Sequence, residues 1–489
     1  MYKKISIILS FIIFLPVFAA AEPEVVISEF SGGSVKFNVG YYSDMYFGSR
    51  GDAARNGGTV STLDFIQSFT SYNPACLAFQ DKAVYSMSMI PFEFLNTNLV
   101  GGIIGEDFNE VAIDELSSAI EEGINDNDDL TIGSGVDIGL DAANAYAGQW
   151  AGIMGFEAMV PFANNQAAVG VAREEKTAFA LDFILSGLST LVNVSDPADP
   201  AMPEINLRAT IDGVLKVEMR NVTTSLGLGR QISEYWGVGV VLEHFASSID
   251  VDGQFLADAV GTFIGSELEF NTRPDNMLDQ TADIGLYATA WGLRVGTAVH
   301  SEKDLVEFAA DLSIQPELKY EGGMDILLHT IDFDNIYMDF WSGYTVTTPE
   351  RPEDLEEDLD LIYEPIALML PSYIRVGLAY KPDFMVMAIN YIRYITGMRI
   401  KAAGQTATFN LCDEVRIGFN FKWFQIGGGV VFPKLTLVNE DGDVEIPYWG
   451  VAGVFSTGFI IPIGEEIMTE WQFLTFPGPI LKAALTYMF

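Results

Sequence analysis

Cysteine, histidine and positive charge are all scarce in this chain. Its 489 residues hold two Cys, three His and 26 Lys+Arg, set against 67 Asp+Glu, for a formal net charge of −41. Such an acidic chain is a poor partner for nucleic acid and for anionic lipid headgroups, and no nucleic acid is expected to bind it. Cys76 and Cys412 permit at most one disulfide in an oxidising compartment. Widely separated in sequence, they equally suit two small half-buried thiols. His244, His300 and His329 sit in no recognisable nucleophile or metal arrangement, and no Gly-x-Ser-x-Gly occurs. Glu243 and His244 are adjacent, so on a strand they point to opposite faces. These absences argue against an enzyme. After residue 18 there is also no apolar run long enough to cross a bilayer as a helix, which takes ~20 residues.

The first 21 residues are organised differently. Lys3 and Lys4 precede an apolar run from Ile5 to Phe18, which ends in Ala19-Ala20-Ala21. This is the layout of a secretory signal peptide over 1–21, with a mature chain beginning at Glu22. No Cys follows the cleavage site, which argues against a lipoprotein; a membrane anchor is the alternative. Removing Lys3 and Lys4 leaves 24 Lys+Arg against 67 Asp+Glu, a net of −43.

The rest of the chain is apolar for a protein without spanning helices: 49% hydrophobic and 12% aromatic. Only helices and closed barrels satisfy every backbone N–H and C=O inside lipid. The alternating segments fit the second solution. Tyr85, Met87 and Met89 alternate with Ser86 and Ser88. Trp236, Val238, Val240 and Leu242 alternate with Gly237, Gly239, Val241 and Glu243. Trp291, Leu293, Val295, Thr297 and Val299 alternate with Gly292, Arg294, Gly296, Ala298 and His300. Ile374 to Tyr380 and Ile417 to Trp423 repeat the pattern, with Arg375, Gly377, Arg416 and Asn420 on the small or polar face. In a soluble sandwich the apolar face points inward; in a membrane barrel it points at lipid and the polar face lines the lumen. Periodicity alone does not choose between them.

Between the strands, Asp252-Gly253 and Asp441-Gly442 read as hairpin turns, and Pro197, Pro200 and Pro203 as a loop. Acidic stretches at 125–129 and 353–360 read as solvated loops, with divalent-cation binding as the open alternative; neither matches an EF-hand loop. Apolar residues at helical spacing predict amphipathic helices over 107–122 and 254–266, and residues 353–370 turn from acidic to apolar. Helices this short belong in loops or the lumen. If the last strand ends in the periplasm, an even strand count puts 107–122 in the first external loop.

The chain ends Lys482-Ala-Ala-Leu-Thr-Tyr487-Met-Phe489. Leu485, Tyr487 and Phe489 share one face and Ala484, Thr486 and Met488 the other. This resembles the final strand of bacterial outer-membrane barrels. The resemblance implies that Tyr487 and Phe489 form the insertion signal read by the outer-membrane assembly machinery. Residues 73–79 read Asn-Pro-Ala-Cys-Leu-Ala-Phe and follow a Gly- and Ala-containing stretch at 48–58. This resembles the N-terminal hatch of the FadL/OmpP1/TodX-type outer-membrane transporters, where an Asn-Pro-Ala-Gly-Leu-Ala-like motif leads into the first strand. Cys76 stands where that family usually has Gly or another small residue. Leu370 to Tyr380, and Val415 to Phe421 followed by Ile426 to Pro433, resemble later strands of the family. The motif has a physical sense. Pro74 fixes φ and holds Asn73 extended, and Asn73 can pin a compact turn through backbone hydrogen bonds.

The resemblance implies an all-β, antiparallel transmembrane barrel of about fourteen strands over 83–489. It also implies a lumenal plug over 22–82 carrying the hatch motif Asn73, Pro74 and Ala75, and short helices in loops. Its place is the outer membrane of a diderm bacterium. Its partners are outer-membrane lipid and a small hydrophobic molecule, such as a fatty acid or an aromatic hydrocarbon. Passage needs no cofactor and no energy source; the ligand shifts the plug by binding one arrangement better than another. No ligand-pocket residue carries over. The alternative function uses the same barrel as a scaffold for an adhesin, assembly or secretion partner.

Overall fold

In the computed structural model of the chain, the residues described are 24–31, 34–43, 68–70, 73–89, 131–132, 137–141, 153–195, 205–263, 269–271, 280–328, 336–339, 343–346, 366–402, 405–421, 423–438, 444–449, 452–464, 466–474 and 480–489. Fourteen strands form a closed antiparallel ring. In chain order they are β1 (Val84–Met89), β2 (Ile153–Phe162), β3 (Ala167–Ser195), β4 (Ile205–Ser233), β5 (Trp236–Phe263), β6 (Gln280–His300) and β7 (Val306–Ile314). The remaining seven are β8 (Tyr373–Tyr380), β9 (Val386–Tyr394), β10 (Gln405–Phe421), β11 (Phe424–Val438), β12 (Ala452–Ile463), β13 (Ile467–Leu474) and β14 (Ile480–Met488). Each pairs with the next, and β14 closes on β1 from Ala483↔Met89 to Met488↔Val84.

The wall is inside-out relative to a soluble protein. Trp291 and Trp423 are 62% and 61% exposed, whereas Arg294 and Arg416 are 4% and 2% exposed. Every alternating segment named above behaves this way, with its large apolar face outside and its small or polar face in the lumen. Charged groups are costly to bury and apolar groups costly to leave in water. This arrangement is stable only where lipid covers the outside. Leu485, Tyr487 and Phe489 point outward, Ala484 and Thr486 inward, and Met488 packs inside against buried apolar side chains.

The two rims differ. At one, connections of two to five residues join β2–β3, β4–β5, β6–β7, β8–β9, β10–β11 and β12–β13. There Ala83 and Phe489 also exchange backbone hydrogen bonds at 3.0 and 3.1 Å, tying the chain's end to the start of β1. All the long connections leave the other rim. Barrels of this kind keep short turns on the periplasmic side. On the long-connection side β3, β4 and β5 run for 29, 29 and 28 residues, when ~9–11 suffice to cross a bilayer. These strands rise well beyond the apolar belt.

Several expectations are corrected. Residues 254–263 are not helical; they complete β5. Asp252-Gly253 is not a turn but mid-strand, with Asp252 opposite Lys216 and Asp283. Pairing on both sides overrides the local helical and turn signals, because each residue gains ladder bonds from two neighbours. In residues 353–370, the described part is extended, with a strand at Ala367–Met369. The predicted helix at 107–122, the signal peptide 1–21, Pro197, Pro200, Pro203, Asp441-Gly442 and His329 lie outside the described residues. The N-terminal segment is not wholly lumenal. Glu24–Ser31 and Ser34–Ser43 pair antiparallel with the upper half of β3. Cys76 is a free, fully buried thiol rather than a half-buried or bonded one.

Candidate functional site: a segment docked in the lumen

Residues 68–70 and 73–80 lie inside the barrel near the short-turn rim and are almost wholly buried. Pro74 opens a 3-10 turn, Pro74–Phe79, where its missing N–H costs nothing. Asn73 precedes it in extended conformation, with φ −64° and ψ 131°. Its Oδ1 accepts from the Ala75 N–H at 2.9 Å. Its Nδ2 donates to the carbonyls of Thr297 on β6 at 3.1 Å and Ala310 on β7 at 2.8 Å. The side chain therefore caps the turn and also fastens it to two barrel strands. Asn73, Pro74 and Ala75, the residues of the expected hatch motif, all lie in this docked segment. Tyr487 and Phe489 do not join it; they stand outside at the end of β14, their rings 5.4 Å apart, as a separate feature.

The wall opposite has been cut away to receive this segment. Gly229, Gly239 and Gly296 lie side by side on β4, β5 and β6. A Cβ on Gly239 would stand 2.1 Å from the Pro74 carbonyl oxygen, and one on Gly296 2.0 Å from Asn73 Oδ1. In the next row, Gly170 and Gly227 make the same space for the Phe69 ring. The glycines of the "small" lumenal face thus have a specific cause, the close approach of another backbone. Leu77, Phe69 and Cys76 fill the groove with Met159, Ala168, Ala172 and Val241. Burial pushes the Cys76 thiol well above its ordinary range, with the Glu157 carboxylate adding to the effect.

Polar side chains clasp the segment from the other direction. Arg294 donates to the carbonyls of Thr70, at 2.5 Å, and Phe69. Glu157 accepts from the Phe69 N–H at 2.7 Å. Glu174 accepts from the Thr70 hydroxyl at 3.0 Å and pairs with Lys176 at 2.6 Å. Arg294 is itself held among Glu243, at 4.0 Å, and Asp311, at 3.9 Å; Arg375 grips Asp311 through two bonds of 2.8 and 3.1 Å. This tier of paired charge is buried on β2, β3, β5, β6, β7 and β8. Sequence reasoning placed Arg294, Arg375 and Glu243 on the small-or-polar lumenal face but assigned them no task. Glu157 and Glu174 went unremarked. Acids on the lumenal face of otherwise apolar strands were the available signal.

Beyond the charged tier, towards the long-connection rim, the lining turns apolar. Phe245, Leu286, Leu318, Tyr320, Leu368 and Leu370 form one buried cluster inside the wall. Further up β5, Phe255 packs over Gly213 and near Phe183, at 6.5 Å between ring centroids. Going inward from that rim, the lumen therefore holds packed apolar side chains first, then paired charge, then the docked segment.

No protein-family model matches the chain, and no curated protein matches it. Among solved structures, the chain is similar to a FadL homologue from Pseudomonas aeruginosa, with 11% identity over 91% of this chain and 98% of that one, at a TM-score of 0.45. It is also similar to the Pseudomonas putida toluene transporter TodX, with 9% identity, 91% and 98% coverage and a TM-score of 0.35. The Ralstonia pickettii toluene transporter TbuX gives 9% identity, 85% and 91% coverage and a TM-score of 0.32.

Proposed function

We propose that this barrel sits in the outer membrane of a diderm bacterium and passes small hydrophobic molecules, such as long-chain fatty acids or aromatic hydrocarbons, with residues 68–80 as the gate. The observation that carries this reading is the order of surfaces in the lumen. An apolar lining near the long-connection rim would capture a greasy molecule, and a docked segment would stop it. The segment is held mainly by hydrogen bonds and by a few buried apolar side chains, so it can be displaced without unfolding the wall. No step requires a cofactor, an energy source or an enzymatic group. A ligand that binds better when the segment has shifted would open the path by its differential affinity alone. The test is to purify the barrel and solve its structure with a bromine-labelled alkyl detergent. Bromine signal beside Leu286, Leu318 and Leu370 supports the reading, and a lumen free of alkyl chain opposes it. One observation favours the scaffold reading instead. β3 and β4, at 29 residues each, span roughly 95 Å at ~3.3 Å per residue, tall enough to present a sheet to a partner.

A further inference from the structure

The apolar belt on the outer wall of β2–β6 has a defined upper edge. That edge is marked by an aromatic row in which Phe156, Arg173, Thr224, His244 and Trp291 stand side by side on successive strands. Below it come Val171, Leu226, Leu242 and Leu293; above it Lys216, Asp250 and Asp283 turn the outer face polar. In a chain of net charge −41, a cation in this row calls for a reason. Arg173 lies on the lipid-facing side and is exposed, with no partner among the described residues. Beside it is a hollow of about 130 Å³ lined by Gly155, Phe156, Arg173, Glu175, Arg220 and Val222, with Glu174 at its inner side. β3 bulges here between Glu175 and Thr177, which opens the space.

The charged residues lining the hollow, Arg173, Arg220, Glu174 and Glu175, sum to zero; Lys176 beside Glu174 adds one positive charge, while Glu218 and Asp250 further along also act on Arg220. Glu175 is engaged with Arg220 through bonds of 2.9 and 3.3 Å. Glu174 is neutralised by Lys176 and turned to the lumen. The guanidinium of Arg173, with five N–H donors in a fixed fork, is left over. Arginine on a lipid face is costly at mid-bilayer and nearly free at the interface. Its planar donor fork matches a phosphate. Phe156 and Val222 supply an apolar floor for the start of an acyl chain.

We infer that this hollow is a binding site for the phosphate headgroup of a lipid in the leaflet at the long-connection rim, held by Arg173, with Arg220 oriented by Glu175 as the second donor. The inference rests on the lipid-facing wall and not on the transport reading. It is tested on the full chain in a non-ionic detergent by native mass spectrometry with dioleoyl phosphatidic acid. The expected result is one tightly held phosphatidic acid and none of the diacylglycerol with the same chains. Arg173→Gln should weaken binding about tenfold or more, as loss of a charge-assisted contact does. Arg230→Gln, on the same outer face at the opposite rim, should leave binding unchanged. The mobility of the unboiled protein on a gel confirms that each variant is folded. Equal retention by Arg173→Gln and the intact chain overturns the site. Equal retention of diacylglycerol makes the contact merely apolar, and full displacement by millimolar inorganic phosphate makes it a site for free anions; either result also overturns the inference.

Discussion

Replacing Gly239 by valine should expel the docked segment while leaving the wall intact. The new Cβ would stand 2.1 Å from the Pro74 carbonyl oxygen, a backbone atom that cannot turn aside. Restoring ordinary contact moves the segment by roughly 1 Å or more, since carbon contacts settle near ~3.5 Å. The two bonds from Asn73 Nδ2, now 2.8 and 3.1 Å, would then break at about 1 kcal/mol each. Loss of Leu77 burial adds about 1.5–3 kcal/mol. The docked state therefore weakens by roughly 3–5 kcal/mol, at least a hundredfold in population at 1.4 kcal/mol per factor of ten. Cys76 reports the outcome, because it is free and buried within the segment. In a Cys412→Ser background, maleimide should label Cys76 very slowly in the parent and at least a hundredfold faster in Gly239→Val. Unchanged gel mobility without boiling would show an intact barrel. The pH dependence has a definite sign. The docked thiol's pKa is raised, so its contribution is fully present below the ordinary thiol pKa of ~8.5 and falls as pH rises above it, by up to ~1.4 kcal/mol per pH unit. Alkaline conditions should therefore loosen the segment in the parent, as faster limited proteolysis within residues 68–80 would report, and Cys76→Ala should abolish that trend in the same proteolysis assay. Equal labelling of parent and Gly239→Val at every pH would refute the docking argument.

Asn73→Ala removes three hydrogen bonds of ~1 kcal/mol each, so bilayer conductance or uptake should change at unaltered abundance; no change here or on deleting the segment would mean it is not a gate. Arg294→Met leaves Glu243 without its ion-pair partner and frees the carbonyls of residues 69 and 70, and breaking such a buried pair costs ~3–5 kcal/mol. The temperature at which the unboiled gel band converts to the unfolded form should drop, and an unshifted temperature would count against the clasp. Deleting Phe489 should lower membrane-inserted yield far more than Phe489→Tyr, as pulse-chase assembly would report; equal assembly of the deletion and the intact chain removes its role as an insertion signal.

The barrel was legible because period-2 alternation survives in short windows. Trp291 to Val299 and Ile374 to Tyr380 declare two faces, and the inverted burial then says which of them meets lipid. The turn at Asn73-Pro74 was legible, since Pro74 and the bond from the Ala75 N–H to Asn73 Oδ1 act through local geometry, whereas the bonds from Asn73 Nδ2 to β6 and β7 were not. What stayed hidden depends on contacts distant in sequence. Phe255 and Leu256 carry helical spacing, and only the neighbours β4 and β6 decide that they belong to a strand. Gly239 reads as a small lumenal residue until Pro74 is placed against it. Arg294 lies more than two hundred positions from the carbonyls it holds, so no local pattern could announce the clasp. The pairing of Glu24–Ser31 with β3 was hidden for the same reason.

The most direct test of the central claim is uptake by cells of a diderm host that lacks this chain, with and without it supplied. Labelled long-chain fatty acid and labelled toluene would be offered beside a labelled sugar as control. The account predicts faster entry of at least one hydrophobic compound with the intact chain, altered entry with Gly239→Val and no effect on the sugar. Identical uptake of every hydrophobic compound with and without the chain, at confirmed surface abundance, would contradict it.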